Sequence, residues 1–167
     1  MTRIAAFGAG SGETLTVTLT EAITIDSRDY GSKQVMTFTG INDVYKRIVT
    51  CPSGSDTTIA IFDSTAAIAD GSIDIQEAKY VRVTNLDSSN SVNLSIQLDS
   101  DEDDSGANES ATCLLAAGQS FVIGTPHESF HVDDDAATII TALTDIESIL
   151  IDPSSNAVKM EILVAST

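Results

Sequence analysis

The densest group of possible ligand side chains in this sequence is an acidic stretch at residues 99–110. Aligned on a calcium loop, it supplies oxygen ligands and a turn glycine at suitable positions: Asp101, Asp103, Ser105 and Gly106. Thr112 stands where the final bidentate glutamate belongs, and strand-like rather than helical segments flank the stretch. The pattern therefore predicts a solvated, mobile hairpin tip that carries surface charge, and not a calcium site.

A second candidate is the pair His127 and His131, which three aspartates follow at 133–135. On a helix, two histidines four residues apart share a face and could bind one zinc ion. Phe130 and Val132 favour a strand instead, where positions four apart lie about 13 Å from each other and cannot hold one ion. We therefore expect ordinary surface histidines and no metal site here.

The remaining reactive side chains form no recognisable catalytic motif. The glycine-rich segment 8–12 lacks the lysine of a phosphate loop and a surrounding strand–turn–helix unit, so we expect a hinge. No serine lies in a G-x-S-x-G elbow. Cys51 and Cys113 have neither the number nor the spacing of a disulfide framework or a metal site, which predicts two reduced structural thiols.

Isolated carboxylates are scattered at the expected strand ends, where solvent-facing groups are usual: Glu13, Asp26 and Glu161. Two carboxylates that are distant in the sequence could still come together in the fold as an acid–base pair, because one sequence does not show which residues are neighbours in space. Taken together, these patterns predict no catalytic, cofactor-binding or metal-binding residue, and hence no enzyme.

Charge and length weigh against nucleic-acid-binding and membrane proteins. The chain has 167 residues, and eight basic against 25 acidic residues give a net charge of −17. Such a surface repels nucleic-acid phosphates and anionic membranes, and no apolar run approaches the roughly 20 residues that span a bilayer. The N-terminal residues turn glycine-rich before a secretory apolar region develops, so we expect no signal peptide.

Short apolar/polar alternations, separated by turn residues, predict strands through most of the chain. These strands are expected at 14–20, 22–26, 34–39, 44–50, 57–62, 79–86, 91–98, 119–123, 127–132, 146–152 and 157–165. In the first of them, Leu15, Val17 and Leu19 are expected to enter the core while four threonines cover the other face. Closely spaced strands without intervening helices favour a sandwich over a parallel sheet.

The clearest predicted hairpin joins residues 80–86 to residues 92–98, because both arms alternate and a short polar connection links them. Its second arm should point one apolar row into the core: Val92, Leu94, Ile96 and Leu98. The residues between them are expected to point away from that core: Asn93, Ser95 and Gln97.

Helical periodicity is weak, and its best candidate is the segment 136–143 behind the possible N-cap Asp135. The predicted fold is therefore all-β, an antiparallel β-sandwich or jelly roll with short loops and at most one short helix. Residues 1–13 are expected to form a flexible N-terminal arm and residues 14–167 a single β-sandwich domain. The arm lacks strand alternation, so we expect it to order only on contact with a partner.

Three segments, 79–86, 114–123 and 158–167, resemble small virion structural proteins of tailed bacteriophages. The shared elements are an "R-V-T-N" strand, an "A-G-Q-S-F" turn-to-strand step and a last strand close to the C-terminus. The resemblance implies a capsid decoration or cement protein on a β-sandwich, often a trimer, bound to the major capsid protein or other virion proteins. It carries over no catalytic residue.

From this resemblance and the absence of a reactive motif, we expect a non-enzymatic protein of the capsid surface, made in the host cytoplasm. The alternative is a carbohydrate- or receptor-binding module of a tail fibre or appendage, since jelly rolls also host such sites. The lack of tryptophan and the few other aromatics weigh against it. A metal-dependent cupin-like enzyme ranks third, because no clustered His/Glu ligand set is visible.

Overall fold

The alternation in the sequence is realised as strands in the computed structural model, which describes residues 12–63, 72–74, 77–98, 109–124 and 146–167. In these ranges the strands are β1 (Glu13–Glu21), β2 (Thr24–Ile25), β3 (Arg28–Asp29), β4 (Ser32–Ile41), β5 (Asp43–Cys51), β6 (Thr57–Asp63), β7 (Ile73–Asp74), β8 (Ala78–Asn85), β9 (Val92–Leu98), β10 (Glu109–Leu115), β11 (Ser120–Ile123), β12 (Ile146–Asp152) and β13 (Val158–Ser166). The described residues contain no helix, and therefore none that could span a membrane.

Two sheets pack face to face as an antiparallel β-sandwich. The first sheet, which we call the ribbon-side sheet, has the order β11-β8-β13-β5, and the second, the groove-side sheet, has the order β10-β9-β12-β6-β7. Strands that follow one another in the chain, such as β8 and β9 or β12 and β13, occupy equivalent positions in opposite sheets. This connectivity is that of a jelly roll, so the all-β sandwich predicted from the sequence is confirmed. The two-residue β7 pairs with β6 in parallel at the edge.

The main core lies between the two sheets and is made by one row of side chains from each strand. In β9 the inward row is the predicted one, with Val92, Leu94, Ile96 and Leu98 all buried. The opposite face of the strand is half-buried, as its alternating burial pattern shows. The period of two therefore assigns the faces of this strand correctly.

The predicted hairpin between residues 80–86 and 92–98 is wrong. β8 pairs with β11 and β13, whereas β9 pairs with β10 and β12, so the two segments belong to different sheets. The connection between them is a corner that carries the chain across the core. Alternation gives each strand its inward face but not its partner, and a short polar loop suits a corner as well as a hairpin.

Several predicted elements differ in detail from the structure. The strand β10 (Glu109–Leu115) is not predicted from the sequence. Its alternation is short and begins inside the acidic stretch 99–110, which the charge pattern assigns to a loop. The predicted strand 22–26 is instead two short strands around a turn in which Asp26 and Ser27 have positive φ angles of 50° and 64°. The predicted strand 127–132 and the predicted helix 136–143 lie outside the described residues.

Residues 13–41 form a separate two-stranded ribbon, in which β1 pairs with β4 and the short β2–β3 pair lies between them in the chain. The base of the ribbon packs against β8 and β13 of the ribbon-side sheet through a second apolar cluster. In this cluster the Phe38 and Tyr80 rings meet edge to face with centroids 5.6 Å apart. Leu15 and Val17 join this cluster. The prediction for Leu19 is wrong, because it is 51% exposed beyond the cluster.

The boundary between the predicted arm and the domain falls inside an element of the structure. Glu13, the last residue of the predicted arm, is the first residue of β1, and residues 1–11 lie outside the described part. At Gly12, an added Cβ would lie 2.4 Å from the carbonyl carbon of Gly40. Only glycine therefore fits where the chain enters the ribbon against the end of β4.

Candidate functional site

The structure does not test the two predicted ligand clusters. The calcium-like residues Asp101, Asp103, Ser105 and Gly106 lie outside the described residues, as do His127, His131 and residues 133–135. Thr112, in the position of the missing calcium ligand, is an exposed residue of β10. In the described ranges, no three His, Cys, Asp or Glu side chains meet in a group that could hold a metal ion. The absence of calcium and zinc sites stays a prediction.

Glu161 occupies a different place from the one the sequence suggests. Glu13 and Asp26 are exposed, whereas Glu161 lies in the middle of β13, in the centre of the ribbon-side sheet, with its side chain only 15% exposed. It forms ion pairs with Arg82 of β8 and with Lys46 of β5, the latter at 3.2 Å between Nζ and Oε2. Each pair joins neighbouring strands, so this carboxylate holds three strands together rather than acting on a ligand.

The two cysteines are free thiols, as predicted. Cys51 is fully buried at the end of β5, and this burial raises the pKa of its thiol, while a hydrogen bond with Thr57 and the charge of Arg47 partly oppose the shift. A raised pKa keeps the thiol protonated and unreactive at neutral pH. Cys51 therefore acts as a core residue.

A polar corner between β8 and β9 is not identified by the sequence reasoning. Asn85 is fully buried, and its Nδ2 donates to the carbonyl oxygens of Asn90, at 2.8 Å, and Leu115, at 3.2 Å. Its Oδ1 accepts the backbone N–H of Asp87 at 3.0 Å. This one side chain ties the corner to the end of β10 in the opposite sheet. The signal in the sequence is an asparagine at a strand end just before a turn.

Asp87 stabilises the turn of the same corner through hydrogen bonds to its side chain. Its Oδ1 accepts the backbone N–H groups of Ser89, at 2.8 Å, and Asn90, at 2.7 Å, and the Asn90 side chain at 3.1 Å. These hydrogen bonds, the one from the Asn90 backbone foremost, lower the pKa of the carboxyl group. The arrangement is a structural turn and leaves no group positioned for acid–base chemistry.

Of the parts of the fold that the structure describes, the ribbon presents the largest set of exposed apolar side chains. Beyond the cluster at its base, five large side chains on it are between 48% and 59% exposed: Leu19, Ile23, Ile25, Tyr30 and Val35. Among the strands that the structure describes, β1 and β4 pair only with each other, so each has one open edge there. An element of this kind can bury its apolar surface and its edges only against another molecule or chain segment.

The outer face of the groove-side sheet contains a shallow groove of about 230 Å³. Its lining residues come from three neighbouring strands and the turn before β6: Asp56, Asn93, Ser95, Gln97, Thr112, Leu150 and Asp152. Ser95 lies at the centre, where its Oγ accepts hydrogen bonds from Gln97 at 2.8 Å and Thr112 at 3.1 Å. Asn93 donates to Asp152 at 3.3 Å.

The strand register explains why these side chains meet. Ser95 of β9 lies opposite Thr112 of β10 and Leu150 of β12, and Asn93 lies opposite Asp152. Alternation predicts the outward orientation of Asn93, Ser95 and Gln97, but not their neighbours across the sheet. Chemically, the groove offers amide, hydroxyl and carboxylate groups that can donate and accept hydrogen bonds around one aliphatic side chain.

Comparisons with known proteins give no family assignment. No protein-family model matches the chain, and no curated protein matches it in sequence. Among solved structures, the chain is similar to a Bacillus endospore appendage from a family of disulfide-linked pili, with 11% identity, 98% of this chain and 97% of that one covered, and a TM-score of 0.38.

A second similar structure is the family 11 carbohydrate-binding module of the cellulosomal cellulase Lic26A-Cel5E of Clostridium thermocellum. The identity is 12%, the alignment covers 99% of this chain and 94% of the module, and the TM-score is 0.34. Similarities at this level carry no inference about function. Function therefore has to be argued from the surfaces of this chain.

Proposed function

We propose that this chain is a non-enzymatic structural protein of a tailed-phage virion, a decoration or cement protein that attaches to the shell through its ribbon. The single observation behind the proposal is the ribbon of residues 13–41, which carries five exposed apolar side chains away from the jelly roll. The resemblance of three segments to small virion proteins supplies the virion context. Jelly rolls occur in viral capsid proteins among others, so the fold is compatible with this role.

The energetics of the ribbon support a role in attachment. An isolated two-stranded ribbon is only marginally stable in water, and the apolar cluster that anchors this one to the jelly roll lies at its base. Burying a large apolar side chain contributes about 1.5–3 kcal/mol. Leu19 and Val35 lie on opposite faces of the ribbon, since Val35 pairs with Thr18. Covering either face would therefore stabilise both the ribbon and the complex.

The size of the ribbon sets the area that a contact through one of its faces can bury. β1 has nine residues, which makes it about 30 Å long, and two strands are about 10 Å wide. Two subunits that each lay one ribbon face on the other would bury about 600 Å², below the roughly 1,200 Å² of a specific interface, so a contact between copies has to include more surface than one ribbon face. A ribbon face that packs on the same face of a second copy closes a dimer. In the homotrimer that the resemblance favours, each ribbon instead contacts a different surface of the next copy.

The test is binding of the purified protein to empty shells of the phage that encodes it, measured by co-sedimentation, with light scattering for its own oligomeric state. We expect the double variant Leu19→Ser/Ile25→Ser to lose shell binding at least about tenfold, because it removes exposed apolar contacts. The control is Thr50→Ser, an exposed change on β5 of the jelly roll, outside the ribbon. A wild-type protein that stays monomeric and does not sediment with shells would overturn the proposal.

A further inference from the structure

An interior strand of the groove-side sheet, β9, departs from ordinary strand preference on its outer face. β9 lies between β10 and β12, yet its three consecutive outward positions are Asn93, Ser95 and Gln97. Asparagine is depleted in strands, whereas the outward positions of β1 are threonines, which suit a pleated surface. Departures from local preference in an otherwise consistent domain are expected at functional positions.

These side chains meet in the groove on the outer face of this sheet. Leu150 supplies an aliphatic floor beside Ser95. Two more exposed apolar side chains lie on the same sheet, Leu114 of the neighbouring β10, opposite Asn93, at 70% exposure, and Ile61 of β6, one strand beyond β12, at 54%. A surface with this mixture contacts a ligand through both hydrogen bonds and C–H groups. Sugars present both kinds of group on every ring, so their chemistry matches the groove.

Charge restricts the ligand further. The lining contains two aspartates, Asp56 and Asp152, and no basic residue, on a chain of net charge −17. An anionic ligand such as a nucleic acid or a sulfated glycan would be repelled. Ligand hydroxyl groups can instead donate charge-assisted hydrogen bonds to the two carboxylates.

We infer that the outer face of β10, β9 and β12 binds a neutral oligosaccharide, with Asn93, Gln97 and Asp152 as its main hydrogen-bonding residues. Such a site would perform the carbohydrate-binding role that the sequence gives as an alternative, with the aliphatic Leu150 in the groove instead of the aromatic rings that sugar sites commonly use. The site is independent of attachment through the ribbon, because the groove and the ribbon pack on opposite sheets of the sandwich. A virion protein with both surfaces would hold the shell with one and contact glycan with the other.

The test is titration calorimetry of the full chain with three neutral oligosaccharides, cellohexaose, maltohexaose and xylohexaose, with heparin hexasaccharide as the anionic control. We expect saturable binding of at least one neutral probe with a dissociation constant of about 1 mM or below, a range usual for a few hydrogen bonds on a shallow surface. The double variant Asn93→Ala/Gln97→Ala should weaken that binding about tenfold or more. The control Thr50→Ala, an exposed polar residue of the opposite sheet, should leave it unchanged.

Folding and binding can be separated in the same experiment. A thermal melt identifies any variant that fails to fold, and in that case Asp152→Asn, which keeps the shape of the side chain, replaces the double variant. Failure of all three neutral probes to bind would overturn the inference. Neutral binding that these variants leave unchanged, or heparin binding that they remove, would overturn it as well. Shell binding through the ribbon should be the same in all groove variants.

Discussion

At the scale of single residues, Asn85 is the polar side chain on which the sandwich corner most depends. It is fully buried and makes three hydrogen bonds to backbone groups of the corner and of β10. Removing it leaves those groups without partners inside the protein, where unsatisfied polar groups destabilise the fold.

We therefore expect Asn85→Ala to lower the free energy of unfolding by about 2 kcal/mol. Urea denaturation followed by circular dichroism measures the change. The control is Asn156→Ala, where an exposed asparagine donates to the Asn90 side chain of the corner and to Ser155 from the surface, and its effect should stay below about 0.5 kcal/mol. Equal effects of the two substitutions would show that the Asn85 hydrogen bonds do not hold the corner.

Asp87 makes the same corner dependent on pH. Its hydrogen bonds lower its pKa in the folded protein below the ordinary value of 3.8. The carboxylate therefore stabilises the fold above that ordinary value, and this contribution is lost as the pH falls through the folded-state pKa. We expect Asp87→Ala to lower the melting temperature at neutral pH, and the difference from wild type to shrink below about pH 4.

Melting scans from pH 6 to pH 3 test this dependence, with Ser88→Ala as a control in the same turn. Ser88 has no titratable group, so its difference from wild type should not change with pH. A deficit of Asp87→Ala that stays constant down to the lowest pH would contradict the assigned role of the carboxylate.

At the scale of elements, β9 contributes a continuous apolar row to the main core. Leu94 is fully buried and Ile96 nearly so. Because truncation of a buried Leu or Ile leaves a cavity, we expect Leu94→Ala or Ile96→Ala to lower the free energy of unfolding by about 2–5 kcal/mol. Asn93→Ala, on the other face of the same strand, should change it by less than about 0.5 kcal/mol. Harmless core truncations in chemical denaturation would contradict the burial of this row.

The ribbon should respond separately from the jelly roll, because its base packs through its own cluster. Phe38 is 2% exposed and contacts the Tyr80 ring edge to face. We expect Phe38→Ala to release the ribbon, so that amide protons of β1 and β4 exchange faster by about a hundredfold while those of β9 and β12 keep their protection. Hydrogen exchange read by mass spectrometry measures both. Equal acceleration in all four strands would mean that the ribbon and the jelly roll open as one unit.

At the scale of the whole molecule, a net charge of −17 opposes every contact between copies. Salt screens this repulsion, with a Debye length of about 30 Å at 0.01 M and about 3 Å at 1 M. If apolar ribbon contacts drive association, we expect the oligomer to be favoured at high ionic strength. Sedimentation equilibrium at these two salt concentrations tests this expectation. The double variant Leu19→Ser/Ile25→Ser is the control and should stay dissociated at both. An oligomer that dissociates at high salt would show that ion pairs, and not apolar contacts of the ribbon, hold the copies together.

The sequence by itself determined what is local. Alternation with a period of two gave the all-β class, most of the strands and the inward row of β9, because each side chain's face depends only on its neighbours in the chain. It also placed Asn93, Ser95 and Gln97 on the outer face. Three of the seven residues that line the groove therefore follow from alternation alone.

Only the tertiary structure decided what is non-local. The segments 80–86 and 92–98 belong to different sheets in the structure. Thr112 lies beside Ser95, and Asp152 lies beside Asn93. Glu161 lies between Arg82 and Lys46. Many pairings satisfy the same alternation, and the entropy of closing a loop rises only slowly with its length, so no local signal selects among them. The joint packing of two sheets on one core makes that selection, and with it the groove and the free ribbon.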